Sequence, residues 1–325
     1  MEYRRVGRSG LKTSAIALGS WLTYGTATER EAARACIRRA LELGINHFDC
    51  ADVYGERPGA AEEFLGEALK DVPRHSYILT TKCFWPVGDG PNDRGLSRKH
   101  IFESVHRSLR RLGTDYIDIM YCHRFDPETP VDETLRALDD LVRQGKVLYI
   151  GISEWSAAQI AEGLRVVDRY GLHPITVNQP VYNMLERKIE PEILPLCARE
   201  GIGLVVFSPL AQGMLTGKYR PGQPPPPGSR GADPKVNRWV QSMIEKGVPE
   251  RVEKLRPIAA DLGISLAQLA LAWVLRRPEV SAALIGASRP EQIDENVKAL
   301  EVKLGEAELK AIDEALGMAQ PGAEA

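Results

Sequence analysis

The sequence predicts an α/β chain closed as a (β/α)8 TIM barrel, with an N-terminal β-hairpin and two extra helices. Three observations predict it. An amphipathic helix, a glycine and a short β-rich run recur along the chain. Eight such β-rich runs can be counted, and strictly alternating β and α elements imply a parallel sheet with right-handed crossovers. Finally, three successive runs end in ionisable side chains, and the C-terminal ends of barrel strands are where such folds place active sites.

The elements follow in order. Residues 3–6 and 12–14 flank Gly7-Arg8-Ser9-Gly10 and read as a hairpin plugging the barrel's bottom. Strands are expected at 16–18, 45–48, 77–82, 117–122, 147–152, 175–179, 203–207 and 282–285. Helices are expected at 30–43, 101–112, 134–144, 157–170 and 192–200, each closed by a glycine that can take the left-handed conformation. In the second of these, Ile101, Val105, Leu109 and Leu112 fall on one face. Thr28 with Glu31, Ser156 with Gln159, Ser265 with Gln268 and Ser288 with Glu291 have capping-box spacing. Residues 265–276 and 306–316 are the two helices outside the eightfold repeat. An open doubly wound sheet is the alternative, but no GxGxxG turn follows an early strand. The expected organisation is one barrel domain over residues 1–325.

Residues 211–238 break the rhythm. Pro221, Pro224 to Pro227 and Pro234 leave no room for a helix or strand interior. A loop this long in a compact domain is either functional or a loose linker. Its position after the seventh strand lets it reach the proposed site.

Composition narrows the function. The net charge of −2 and pI near 6.4 give no reason to expect a nucleic-acid or anionic-membrane partner. No window approaches a membrane span, and Met1-Glu2-Tyr3-Arg4-Arg5 lacks the apolar stretch of a signal peptide. A cytoplasmic protein without membrane insertion is the expectation. Cys36, Cys50, Cys83, Cys122 and Cys197 are odd in number and lack CxxC spacing, so neither a disulfide framework nor a zinc site is expected.

The chemistry gathers at strand ends. Asp49 and Tyr54 lie in His47-Phe48-Asp49-Cys50-Ala51-Asp52-Val53-Tyr54-Gly55, Lys82 ends the next strand, and His123 the one after. A free phenol is a weak acid, with a pKa of about 10, that a nearby ammonium strengthens. Lys82 is expected to lower the Tyr54 pKa, with Asp49 holding the lysine. His123 is placed to donate a hydrogen bond to a carbonyl oxygen or relay protons. Such groups supply protons and no electrons, so a reduction needs a bound hydride donor. Taken singly, each residue has an ordinary role open to it: Asp49 as a turn cap, Tyr54 as a rim aromatic, Lys82 as a snorkelling cation. No second histidine stands at ligand spacing from His123, so no metal is expected. Ser208 lacks a GxSxG turn, which leaves a hydrolase reading weak. Gly286-Ala287-Ser288-Arg289-Pro290-Glu291-Gln292 follows the eighth strand and opens a helix. Free N–H groups and Arg289 suit it to a phosphate, while Ser288 as a simple cap is the plain alternative.

These residues resemble the aldo-keto reductase superfamily, whose catalytic tetrad Asp49, Tyr54, Lys82 and His123 match in order and approximate separation. The chain looks most similar to the potassium-channel β-subunits and their bacterial relatives. Residues 95–101, Ser208-Pro209-Leu210-Ala211-Gln212-Gly213, and Gly286-Ala287-Ser288 leading to Gln292, Glu295 and Asn296 carry that resemblance. It implies a barrel that binds NADP(H) extended, without a Rossmann motif, and reduces aldehydes and ketones with Tyr54 as general acid. By the same resemblance Ser153 and Gln179 meet the nicotinamide carboxamide, Phe207 stacks on its ring, and Gly19, Ser20 and Trp21 border it. Ser208, Leu210, Gln212 and Gly213 line the pyrophosphate, with Lys218 and Arg230 as a clamp. Gly286, Ser288, Arg289 and Gln292 meet the 2′-phosphate side, and Glu295 and Asn296 the adenine. Trp21, Tyr24, Tyr54, Trp85, His123 and Phe125 are the expected substrate pocket for a small carbonyl compound. A homo-oligomer, tetrameric by analogy, is implied too. The alternative is an NADP(H)-binding redox sensor with little turnover, as in a channel subunit. Two departures stand out: the channel subunits carry asparagine in place of His123, and arginine in place of Glu154.

Overall fold

A computed structural model describes residues 1–21 and 30–318 of the chain. These fall into two compact units. The first comprises residues 1–181, 188–207 and 279–293, and the second residues 182–187, 208–278 and 294 onward.

The first unit is the barrel. A short antiparallel hairpin, β1 (Tyr3–Arg5) and β2 (Lys12–Ser14), precedes eight parallel strands. They are β3 (Ile16–Gly19), β4 (His47–Asp49), β5 (Ile78–Cys83), β6 (Ile117–Cys122), β7 (Val147–Ser153), β8 (Ile175–Gln179), β9 (Gly203–Val206) and β10 (Val280–Ile285). Each pairs with the next, and β10 closes onto β3. Apolar side chains from alternate positions, among them Ala17, Ile78, Ile119, Tyr121, Val177, Val205 and Leu284, fill the interior. Gly151 makes room there: a Cβ at that position would lie 2.4 Å from the Tyr121 ring.

The hairpin covers the N-terminal end of the strands. Val6 joins the core, and the Arg8 amide donates to the Gly201 carbonyl at 2.9 Å. Gly7, at φ +56°, is the close approach that requires a glycine, since a Cβ would fall 2.2 Å from that same carbonyl oxygen. Sealing this end leaves the other as the open face of the barrel.

Helices α1 (Arg30–Glu42), α2 (Ala60–Leu69), α3 (Arg98–Leu112), α4 (Val131–Arg143), α5 (Ala157–Tyr170) and α6 (Ile193–Glu200) belong to this unit. α5 shows how the sequence sets a helix's limits. Ser156 and Gln159 form a capping box at its start, and Gly171 closes it at φ +60°. Two expectations are corrected here. The second barrel strand begins at His47 rather than residue 45, because the Ile45 amide is still tied to the carbonyl of Ala40 in α1. Leu109 is only half-buried, and Ser108 takes the buried place beside Val105. Thr28, expected to cap α1, lies outside the described residues.

The second unit contains α7 (Arg238–Glu245), α8 (Val248–Glu253), α9 (Arg256–Asp261), α10 (Leu266–Leu275) and α12 (Glu306–Leu316); α11 (Pro290–Val297) begins in the first unit and ends in the second. The capping box at Ser265 and Gln268 is formed. Trp273 is buried against Tyr182, with ring centroids 5.2 Å apart, and the guanidinium groups of Arg187 and Arg276 lie over its faces. The Pro/Gly-rich stretch 211–238 holds only two short 3-10 turns, Ala211–Thr216 and Arg230–Ala232. Among the described residues no single helix is long and apolar enough to cross a membrane.

Candidate active site

The four strand-end residues meet at the C-terminal end of the barrel. Lys82 projects inward from β5, and its Nζ donates to Asp49 Oδ2 at 2.5 Å and to the Cys50 carbonyl at 2.7 Å. Both side chains are almost wholly buried. Asp49 Oδ1 accepts from Thr80 Oγ1 at 2.8 Å and from Gln179 Nε2 at 3.0 Å. A buried carboxylate with this many donors is held in one orientation, and removing its ammonium would leave an uncompensated charge costing about 3–5 kcal/mol.

Tyr54 stands on the turn between β4 and α2. Its amide donates to the Ala51 carbonyl, and its carbonyl accepts from the Ala61 amide. The Lys82 ammonium lies 5.0 Å from the centre of the phenol ring. The hydroxyl meets His123 Nε2 at 3.4 Å, with the two rings edge to face. His123 follows β6 directly, and its backbone amide donates to the Cys83 carbonyl at 3.0 Å.

The electrostatics correct one expectation. The Tyr54 phenol is pushed well above its ordinary value, first by burial and then by the charge of Asp49. The expected net lowering is not found: Lys82, held by Asp49 and the Cys50 carbonyl 5.0 Å from the ring centre, does not outweigh burial and the charge of Asp49. Burial, the Lys82 ammonium and the Arg124 guanidinium push His123 well below its usual range. The imidazole is therefore neutral at ordinary pH. Its Nδ1 is buried and has no hydrogen-bond partner among the described residues.

The thiols of Cys83 and Cys122, at the ends of β5 and β6, and of Cys50, just past β4, are buried. Burial pushes Cys122 up to about 12, and raises Cys50 and Cys83 as well, so all three stay protonated. Nearby lies a carboxylate pair that the sequence did not reveal. Asp52 accepts from Ser104 Oγ at 2.7 Å, and Glu62 accepts from Thr81 Oγ1 at 2.6 Å and Arg111 Nη1 at 3.1 Å. Burial, then Glu62, push the Asp52 carboxyl up to about 7. The signal that would have found this pair was α2, whose Ala61, Phe64, Leu65 and Leu69 have helical spacing and place Glu62 on the buried face.

Of the expected cofactor contacts in the first unit, Ser153 and Gln179 join the tetrad. Ser153 Oγ donates to the Gln179 carbonyl at 2.7 Å. Gly19 ends β3, Ser20 is buried beside it, and Trp21 is half-buried. Phe207 is half-buried and its amide donates to the Pro180 carbonyl. Glu154, at φ +57°, accepts from the Val181 amide at 2.7 Å, a use an arginine could not serve. Gly286, Ser288 and Arg289 form an exposed turn after β10. Glu291 does not complete a capping box there. Gln292 Oε1 instead accepts from the amides of Ser288 at 2.8 Å and Arg289 at 3.3 Å, because α11 starts at Pro290 and brings residue 292 over the turn. The N–H groups expected to be free for a phosphate are thus already capped.

In the second unit, Ser208, Ala211 and Gln212 all have positive φ. Gln212 Nε2 donates to Ser208 Oγ at 2.8 Å, Arg230 donates to Gln212 Oε1, and Asn183 Nδ2 donates to the Ser208 carbonyl at 3.0 Å. Leu210 is half-buried, and the exposed Lys218 arches over Gly213. Glu295 is exposed and its carbonyl accepts from Gln268 Nε2; Asn296 is buried.

Of the expected pocket aromatics, Trp85 is 37% exposed and stands edge-on to His123 at 6.3 Å. Phe125 packs edge-on against the buried Trp155 at 5.1 Å. Tyr24 lies outside the described residues.

With this geometry established, comparison with known proteins is decisive. The family model described as "Aldo/keto reductase family" matches residues 15–316. The chain belongs to the aldo/keto reductase family. It is 45% identical over 305 residues to a probable voltage-gated potassium channel subunit beta from Oryza sativa subsp. japonica, covering 93% of this chain and 92% of that one. It is 44% identical, over the same shares, to a probable channel subunit beta from Arabidopsis thaliana. It is 40% identical to an L-glyceraldehyde 3-phosphate reductase from Escherichia coli (strain K12), over 92% of this chain and 88% of that one. The chain is accordingly an oxidoreductase of the aldo/keto reductase family, a family that generally uses a nicotinamide cofactor.

Proposed function

We propose that this aldo/keto reductase reduces aldehydes and ketones to alcohols with NADPH, with Tyr54 as the general acid. The observation that carries the reading is the Tyr54 hydroxyl, 3.4 Å from a neutral imidazole and set over the buried Asp49–Lys82 pair.

The residues fit a nicotinamide dinucleotide. Ser153 and Gln179 offer a hydroxyl and a carboxamide at the strand ends beside Asp49, suited to the nicotinamide amide. Arg289 is exposed and makes no ion pair among the described residues, which suits a 2′-phosphate. Ser208, Gln212, Lys218 and Arg230 are proposed to meet pyrophosphate oxygens. The positive-φ backbone at Ser208 and Gln212 is the kind of strain that binding loops carry.

NADPH, when bound, supplies the hydride. The chain's residues handle the oxygen. A carbonyl oxygen placed between Tyr54 and His123 accepts hydrogen bonds from both as its charge grows. Tyr54 holds its proton firmly in the resting site, so transfer waits until the oxygen has become a strong base. The Lys82 ammonium, beneath the ring, then stabilises the phenolate left behind. His123 stays neutral and orients the oxygen. That the Escherichia coli relative is an L-glyceraldehyde 3-phosphate reductase supports an aldehyde as substrate. The channel-subunit relatives favour the second reading, a cofactor sensor with little turnover.

The test is reduction of a simple aromatic aldehyde with NADPH deuterated at nicotinamide C4. Deuterium on the carbinol carbon is expected. Tight NADPH binding with no deuterated alcohol from a panel of carbonyls would replace the reductase by the sensor.

A further inference from the structure

Arg124 is a cation at the catalytic centre that has no acidic partner among the described residues. It follows His123 at the end of β6, and its Nη1 donates to the His123 carbonyl at 2.5 Å. Its guanidinium lies 5.7 Å from the centre of the Trp85 ring, which itself faces His123. Its charge bears on both reacting groups, lowering the pKa of Tyr54 and of His123. The one carboxylate close by in sequence, Asp126, is committed elsewhere: it accepts from the amides of Leu96 and Glu128 and from Thr129 Oγ1. Among the described residues no carboxylate pairs with Arg124, and only one of its five N–H donors makes a hydrogen bond.

A half-buried guanidinium usually finds a carboxylate, because its donors form a fork that matches two oxygens at once. Here the fork is held in place by a backbone bond on one side and an indole face on the other, with its remaining donors unspent beside the group that receives the substrate. We infer that Arg124 receives an anionic group of the substrate, so the site favours aldehydes bearing a phosphate or carboxylate over neutral ones of similar length. The inference rests on the reductase reading and names the substrate class for that same site. Trp85 bounds this corner, keeping one side of the anion away from water and strengthening its bond to the guanidinium.

NADPH consumption is followed with glyceraldehyde 3-phosphate beside glyceraldehyde, and with succinic semialdehyde beside butanal, in the wild type, Arg124→Gln and Arg124→Lys. The wild type is expected to prefer the charged member of at least one pair. Losing a charge-assisted pair should lower that preference about 30-fold in Arg124→Gln, mostly through a raised KM. Arg124→Lys should keep part of the preference, because it retains the charge and loses the fork. A preference confined to the first pair identifies a phosphate as the anion, and one confined to the second identifies a carboxylate. Equal kcat/KM for charged and neutral members, or a preference that survives Arg124→Gln, overturns the inference while leaving reduction itself intact. Turnover of none of the four compounds would instead overturn the reductase reading, and this inference with it.

Discussion

Lys82 and Arg289 are both cations on turns or strand ends at the open face of the barrel unit, yet their settings are opposite. Lys82 is buried, bonded to a carboxylate and a carbonyl, and inseparable from the packing around it. Arg289 is exposed, on a turn whose amides are satisfied by one glutamine side chain. The first arrangement is permanent and paired before any ligand arrives, so it suits chemistry, where geometry must not wait on binding. The second offers a charge that water already solvates, so it suits recognition, where a modest gain in affinity is enough. On the proposed function, exposure and pairing, more than residue type, separate the groups suited to chemistry from those suited to gripping a cofactor.

The contrast can be broken or sharpened by substitution. The largest effect is expected at Lys82→Met, which should lower kcat by about a thousandfold or more. Because Asp49 would be left charged and buried, the same variant should lose about 3 kcal/mol or more of stability. Thermal melting and NADPH fluorescence titration check both sides: melting should shift down, and cofactor binding should remain measurable. A Lys82→Met protein that melts like the wild type would show that the pair is not the fixed element described above.

Arg289→Ala should act on affinity alone. NADPH binding should weaken about tenfold while NADH binding and melting temperature hold steady, as fits one exposed charge-assisted contact. Equal dissociation constants for the two cofactors in the wild type would remove the phosphate role.

The sequence exposed these two regions unequally. Asp49, Tyr54, Lys82 and His123 were legible because strand ends converge in a closed barrel, so topology alone brings distant residues together. Ser156 and Ser265 announced their helices through local spacing. The direction of the Tyr54 shift was not legible, because it depends on how deeply the fold buries the phenol and how near it brings Asp49. The capping of Ser288 by Gln292 rather than Glu291 depended on a helix start one residue away from expectation. The Asp52–Glu62 pair was not legible beyond the spacing of α2, because the two carboxylates are buried by packing against Thr81 of β5 and Ser104 of α3, residues distant in sequence. The helices at 238–261 went unseen beside the proline-rich loop, although Pro249 and Pro257 sit near helix starts where proline is tolerated.

Asp52 gives a pH-dependent prediction. Its carboxyl rises from an ordinary 3.8 to about 7 in the fold. A raised folded value means the protonated form is favoured, so the support it lends is full below 3.8 and is lost as pH rises through about 7. Asp52→Asn should therefore gain stability over the wild type between pH 5 and pH 8, by on the order of 1–2 kcal/mol. Denaturant melts at the two pH values measure it, and a difference that does not change with pH contradicts the assignment. The smallest effect is expected at Gln292→Ala, which uncaps two amides and should cost about 0.5–1 kcal/mol. If the freed amides receive phosphate, NADPH should bind no more weakly in that variant; a large loss would make Gln292 itself a ligand.

The proposed reduction turns on the Tyr54 proton. The direct measurement is the loss of NADPH absorbance across a panel of aldehydes and ketones, with wild type and Tyr54→Phe compared side by side. A fall in kcat of about a thousandfold with unchanged NADPH affinity and melting temperature is the expected result. A Tyr54→Phe enzyme that reduces the same carbonyls at the wild-type rate would contradict the central claim.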